Sequence, residues 1–331
     1  MVKTFGELAD GQTANLYTIS CGRIRSDITN YGAALVSLLV DGVDVVLGCD
    51  DVSGYAAQGG YLGAVVGRNA NRVGGAKFLL NGEEIRLPAN EGPNCLHSGP
   101  DCWSFRLWQV RAHTASSLTL GLHSPDGDQG FPGNADVTVT YTIENDGLTI
   151  TYRAVSDKDT VFNLTNHAYF NLFGQDRPER AMDQELMLPA EQFCPDDAAN
   201  IPTGELRRVA GTPFDFRCFK PIGRDIGMDY EPLKLQGGYD HNFVNTGAVC
   251  AVLRNPDTGL TMTVTTDLPG VQFYAGNFLD NTGKGGVRYG KRSGVALETQ
   301  YFPDAVNHPE WAQPFVKAGE AWQSVTRYAF E

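Results

Sequence analysis

Two-residue turns recur along this chain, each set between runs rich in strand-forming apolar residues. Asp41-Gly42 separates Leu35 to Val40 from Val43 to Leu47, and Asn81-Gly82 separates Phe78-Leu79-Leu80 from Ile85-Arg86-Leu87. Asp146-Gly147 separates Val137 to Ile143 from Leu148 to Tyr152. Asp-Gly and Asn-Gly adopt the positive φ angles that a tight hairpin turn demands, so each unit predicts a β-hairpin. A fourth pair, Val249 to Arg254 and Leu260 to Thr266, is joined by Asn255-Pro256-Asp257-Thr258-Gly259. Between Val137 and Ile143 apolar residues alternate with threonine, which packs one face and leaves the other to water or a ligand.

No stretch of three or more turns carries a helical apolar stripe free of glycine and proline, which number 38 and 17. Helices are therefore expected to be few and short, one of them near Val52 to Gln58. Neither an internal repeat nor a low-complexity linker divides the 331 residues. The expected fold is all-β, a large antiparallel β-sandwich forming a single domain over residues 1–331. Residues 176–236, richer in proline and charge, read as an excursion from it.

Charge narrows the choice of ligand. With 39 acidic and 26 basic residues the chain carries a formal −13, which argues against nucleic acid and anionic membranes and favours a neutral or cationic ligand. The seven cysteines are scattered and never form a CxxC pair, as expected of buried thiols in a reducing compartment. Met1 to Glu7 lacks a basic segment followed by an apolar core, and no run of ~18 apolar residues occurs, so a cytoplasmic location is expected. There is no P-loop, no GxGxxG, no GxSxG elbow and no HExxH, and the expectation is an absence of metal and cofactor.

Several polar clusters sit where strands end. Gly67-Arg-Asn-Ala-Asn-Arg72 follows the apolar run Leu62 to Val66, and the Arg72 fork suits either a local acid or sugar hydroxyls. Asn94-Cys-Leu-His97 lies in a glycine and proline loop, where His97 is either a surface histidine or part of a site. His167, in Asn163-Leu-Thr-Asn-His-Ala-Tyr-Phe-Asn-Leu172, is either a core histidine with both nitrogens satisfied or a proton donor whose tautomer Asn163, Asn166 and Asn171 would set. In Tyr239-Asp-His-Asn-Phe243 the adjacent Asp240 and His241 must point to opposite faces of a strand. Gln272 and Tyr274 share one face of the next strand. Glu298, inside the apolar Val295-Ala-Leu-Glu-Thr-Gln300, is costly to bury unless paired or functional, which makes it the candidate base.

Taken in order, these motifs resemble the aldose 1-epimerase (galactose mutarotase) family. The resemblance implies an antiparallel β-sandwich that binds a free hexose without a cofactor, with His167 as general acid and Glu298 as general base. It also implies that Asn71, Arg72, His97, Tyr169, Asp240 and Gln272 surround the sugar. On that basis an ionised Glu298 takes the anomeric hydroxyl proton while a protonated His167 donates to the ring oxygen, and a bell-shaped pH profile follows. Two segments depart from the pattern: residues 98–103 after His97 and residues 301–303 after the LETQ strand, both expected to bear on which sugar fits. The expected partner is a small monosaccharide, the chain being a monomer or homodimer. The competing readings are a sugar-phosphate epimerase of the same fold, a non-catalytic carbohydrate-binding protein and a glycoside hydrolase.

Overall fold

The computed structural model describes residues 1–57, 60–144 and 146–331. Asp41 (φ 50°) and Gly42 (φ 85°) form the turn between the paired Val40 and Val43, and Asn81 (φ 52°) and Gly82 (φ 85°) do the same between Leu80 and Glu83. The third hairpin is longer than expected, running through Ala135–Glu144 and Gly147–Ser156. Glu144 pairs with Gly147, so the ladder is offset from the one that an Asp146-Gly147 turn would close; Asn145 lies outside the described residues. This register sets Tyr141 opposite Ile150 and Ile143 opposite Leu148, all four in the core.

Elsewhere the chain stops short of its sequence pattern. The strand expected from Val43 to Leu47 ends at Asp44, whose Oδ1 accepts from the backbone N–H groups of Leu38 (3.1 Å) and Val46 (3.4 Å). The chain then turns away, and the Leu47 N–H reaches the carbonyl of Tyr169 at 2.9 Å. The first helix is Val52–Ala56, capped by Asp51 accepting from the Gly54 N–H; Gln58 lies outside the described residues. A second short helix, Glu231–Gln236, escaped the sequence reading. Pro232 stands in its first turn and Gly237 (φ 65°) ends it.

Antiparallel pairing among the described residues builds three large sheets, of five, nine and six strands, and several two-stranded ones. The five-stranded sheet uses the N-terminal residues 2–44, and the nine-stranded sheet contains the long hairpin, the C-terminal strand Trp322–Phe330 and the fourth expected pair, Val249–Arg254 with Thr261–Thr266. Residues 176–236 are woven into this frame, sending Glu185–Met187 to the nine-stranded sheet and Gln192–Phe193 to the six-stranded one. Side chains from all three sheets, among them Ile28, Tyr152 and Phe273, share one buried core. Five cysteines are buried, Cys21 is half-buried and Cys218 is exposed, so the expectation of buried thiols fails at Cys218. No helix among the described residues is long and apolar enough to cross a membrane.

The six-stranded sheet positions the site. Its central strands, Asp240–Val244, Gly270–Tyr274 and Val295–Gln300, pair with Asn242 opposite Gln272 and Gln272 opposite Glu298. Period two sends Phe243, Phe273 and Leu297 into the core and turns Asp240, Gln272, Tyr274 and Glu298 to the other face. Phe273 is wholly buried, with its ring centroid 5.1 Å from Tyr239 and 5.5 Å from Phe216. Phe273→Ala is expected to lower stability by about 3–5 kcal/mol, read as a drop in the urea midpoint at unchanged slope.

Candidate active site

Strand pairing gathers side chains from across the chain around a cavity of about 640 Å³. Glu298, Asp240 and Tyr274 rise from the six-stranded sheet, and Tyr169 enters from Tyr169–Phe170, which pairs with the start of the Glu298 strand. His167 sits between two short strands. Its N–H donates to the Ala64 carbonyl and its own carbonyl accepts from the Gly63 N–H, both at 2.9 Å, so its backbone is held from both sides. Pairing of Arg72–Val73 with Cys95–Leu96 brings Asn71 and Arg72 against His97. Asn71 (φ 58°) and His97 (φ 51°) are both left-handed, and they bond reciprocally: the His97 N–H donates to the Asn71 carbonyl (2.9 Å) while the Asn71 N–H donates to His97 Nδ1 (3.1 Å).

At the floor, His167 Nε2 stands 3.6 Å from Glu298 Oε1, beyond a hydrogen bond and close enough to share a substrate. The His167 ring is bracketed by Tyr169 (centroids 4.9 Å apart), Tyr61 (5.9 Å) and His97 (5.5 Å). The three asparagines around it do other work than expected. Asn166 donates to the Gly63 carbonyl and the Tyr141 hydroxyl, Asn171 to the Arg177 carbonyl, and Asn163 accepts from the Tyr301 N–H. They brace backbone, and His167 Nδ1 has no hydrogen-bond partner.

Every residue singled out for the site except Gln272 lines the cavity. Gln272 lies behind Asp240, donating from Nε2 to Asp240 Oδ1 at 2.7 Å. His241 points away, into a cage containing Phe193 and Phe214, as strand alternation requires. Residues 98–103 and 301–303, expected to bear on sugar choice, do not reach the cavity wall. The polar lining residues Tyr61, Glu91, Asn200, Asp280 and Asn281 were missed. Only Glu91 left a signal, as an acid in the glycine and proline loop that leads to His97.

The aldose 1-epimerase family model matches residues 15–329. The chain belongs to the aldose 1-epimerase family. It is 40% identical to galactose mutarotase of Bos taurus over 98% of this chain and 97% of that protein. It is 39% identical to aldose 1-epimerase of Escherichia coli K12 over 97% of this chain and 96% of that protein. Among solved structures, galactose 1-epimerase from Lactobacillus acidophilus superposes with a TM-score of 0.88 at 30% identity, covering 100% of this chain and 98% of that one. The relatives are named for an isomerase activity, and the chain is an isomerase of their family.

In this member of the family the floor of the cavity is buried and crowded with titratable groups. Burial, with the field of Asp240 added, pushes the Glu298 carboxyl well above its ordinary value, and Arg72 opposes the shift. Burial likewise raises Asp240, against the pull of Arg72 and the Gln272 hydrogen bond. Burial drags His167 down to about 4, and His97 is held well below its ordinary value by burial and by the charges of His167 and Arg72. Both shifts favour the uncharged forms of the pair, whereas the mechanism expected from sequence acts through an ionised Glu298 and a protonated His167. Ligand atoms of His97, His167 and Glu298 all lie within 4.8 Å of one another, as a cation site would need. The donor chemistry does not fit one: His97 Nδ1 accepts from the Asn71 N–H, so its Nε2 carries the hydrogen and offers no lone pair.

A raised carboxyl links stability to pH. The unfolded carboxyl ionises near its ordinary value of 4.5 while the folded one stays protonated, so the contribution of Glu298 is fully present below that pH and is lost as pH rises towards the folded value. Glu298→Gln removes this dependence. Thermal melts of the two proteins should diverge in favour of the variant as pH rises above about 4.5, by at most about 1.4 kcal/mol per pH unit.

Proposed function

We propose that His167 and Glu298 interconvert the α and β anomers of a free aldose of the galactose or glucose type, by opening and reclosing its ring. The observation that carries this reading is the 3.6 Å between His167 Nε2 and Glu298 Oε1 on the cavity floor. An acid and a base this close match a substrate whose two reacting oxygens are bonded to one carbon. Carboxyl pairs that cleave glycosides stand ~5–5.5 or ~6.5–9.5 Å apart, and here one partner is an imidazole. A sugar phosphate would need a free cation, and the one cationic side chain that lines the cavity among the described residues, Arg72, is held by Glu91. A purely binding protein would have no use for an acid and a base so placed.

The resting pair carries a single proton. Moving it from Glu298 to His167 creates the reactive form, which the fixed positive charge of Arg72 favours at Glu298. Glu298 then takes the proton of the anomeric hydroxyl as His167 gives its own to the ring oxygen. The bond between the anomeric carbon and the ring oxygen breaks, leaving the open-chain aldehyde and an uncharged pair. Rotation about the C1–C2 bond presents the other carbonyl face, and the same transfers in reverse close the opposite anomer. His97 Nε2–H and the Arg72 guanidinium donate to sugar hydroxyls, Asp240 accepts, and Gln272 holds Asp240 in place. The working unit is a single domain, a monomer or homodimer in the cytoplasm, whose hexose substrate fits the acidic balance of the chain.

Polarimetry of freshly dissolved α-galactose and α-glucose tests the assignment. Glu298→Gln and His167→Asn should each lower kcat by about 10²–10⁴-fold; if both equilibrate the anomers as fast as wild type, the pair is wrong. Because burial disfavours both the doubly protonated and the fully deprotonated pair, kcat/KM should follow a broad bell. Its acid limb should fall near pH 4, where His167 gains a proton, well below the ordinary imidazole value of 6.5. Its alkaline limb marks loss of the last proton from Glu298. A flat profile from pH 3 to 10 would contradict the mechanism.

A further inference from the structure

The guanidinium of Arg72 does not face the cavity freely. Its Nε donates to Glu91 Oε2 at 2.5 Å and its Nη2 donates to Oε1 at 2.8 Å, a two-point fork that fixes the plane of the group. The Arg72 side chain is 11% exposed and that of Glu91 35%, so the carboxylate closes the fork from the solvent side. Burial works against the charge on Arg72, but the Glu91 hydrogen bonds and the fields of Asp240 and Glu91 more than offset it, and the arginine is held as a cation.

Glu91 is itself fixed by the fold. Its N–H donates to the Asn94 carbonyl (3.2 Å) and its carbonyl accepts from the Asn94 N–H (3.0 Å), closing the loop that continues into Cys95–Leu96 and His97. One loop therefore supplies both the carboxylate that orients Arg72 and the histidine opposite it. With Nε–H and one Nη2–H committed, both Nη1 hydrogens and the second Nη2 hydrogen remain for substrate. A hydroxyl needs one such donor. A carboxylate or phosphate is bound best by a cation whose charge is not already balanced, and the Glu91 carboxylate balances Arg72 and takes one of its two bidentate edges. An anionic sugar would also meet Glu91 and Asp240 on the same wall.

We infer that Glu91 is a positioning and specificity-determining residue: it aims Arg72 at the hydroxyls of a neutral aldose and, by balancing the arginine's charge, disfavours anionic aldoses. The inference rests on the reading of the cavity as an aldose site. Lysine in place of Arg72 would not restore this geometry, because an ammonium has no planar fork for Glu91 to fix.

Anomer exchange of D-galactose and of D-galacturonate, which carries a carboxylate at C6, is compared in wild type, Glu91→Gln and Glu91→Asp. Wild type should accelerate galactose and discriminate against galacturonate. With the charge-assisted fork reduced, Glu91→Gln should raise KM for galactose by about 10-fold while kcat stays within about 3-fold, and should raise the galacturonate to galactose ratio of kcat/KM by about 10-fold or more. Glu91→Asp, one methylene shorter but still charged, should raise KM while preserving discrimination. If Glu91→Gln leaves both KM and the ratio within about twofold of wild type, or lowers kcat without moving KM, the inference is overturned. If Glu91→Gln does not fold, Glu91→Asp decides: a raised KM with discrimination kept supports the role, and an unchanged KM refutes it. Failure of wild type itself to speed galactose exchange would refute the aldose reading instead.

Discussion

Everything at the site depends on the hydrogen-bonded ladder of Asp240–Val244, Gly270–Tyr274 and Val295–Gln300. A strand ladder leaves its side chains only two directions, so once Phe243, Phe273 and Leu297 are committed to the core, Asp240, Gln272 and Glu298 must face the other way. The hydrophobic drive that holds the sheet together thus aims the carboxyls. Because the second face is covered as well, by Tyr169 and the residues around His167, Glu298 is buried and Asp240 half-buried, and every charge there acts strongly on the next.

Charge in so buried a place has to be balanced locally. Asp240 and Glu298 repel each other, Arg72 opposes both shifts, and Glu91 holds Arg72 from outside. A carboxyl pushed up and an imidazole pulled down leave a pair that resists both full protonation and full deprotonation. That is the property an anomer-exchanging pair requires, because each turnover passes one proton in and one proton out without changing the total. The rings of Tyr61, Tyr169 and His97 hold the imidazole by packing, since no hydrogen bond reaches its Nδ1.

Local patterns foretold the hairpins well where the turn chemistry was decisive. Asp41-Gly42 and Asn81-Gly82 turn where they should, because few residue pairs tolerate two successive left-handed angles. At the third hairpin the ladder runs on to Glu144 opposite Gly147 and so departs from the expected Asp146-Gly147 turn, an offset of even parity that keeps Tyr141, Ile143, Leu148 and Ile150 on the core face. The strand predicted through Leu47 failed because the Asp44 side chain captures the backbone N–H groups that a continued ladder would have used.

The sequence by itself determined the strand-rich architecture, the alternation that separates Asp240 from His241, and, through its motifs, many of the polar groups that line the cavity, since residue type and period two are local properties. Only the tertiary structure decided how those groups act. That His167 and Glu298 lie 3.6 Å apart, that Gln272 stands behind Asp240, that three asparagines brace backbone and that Glu91 closes the Arg72 fork all depend on distances between segments far apart in the chain. The protonation of the pair was likewise beyond the sequence, because it follows from how completely water is excluded, and burial is a property of the packed molecule.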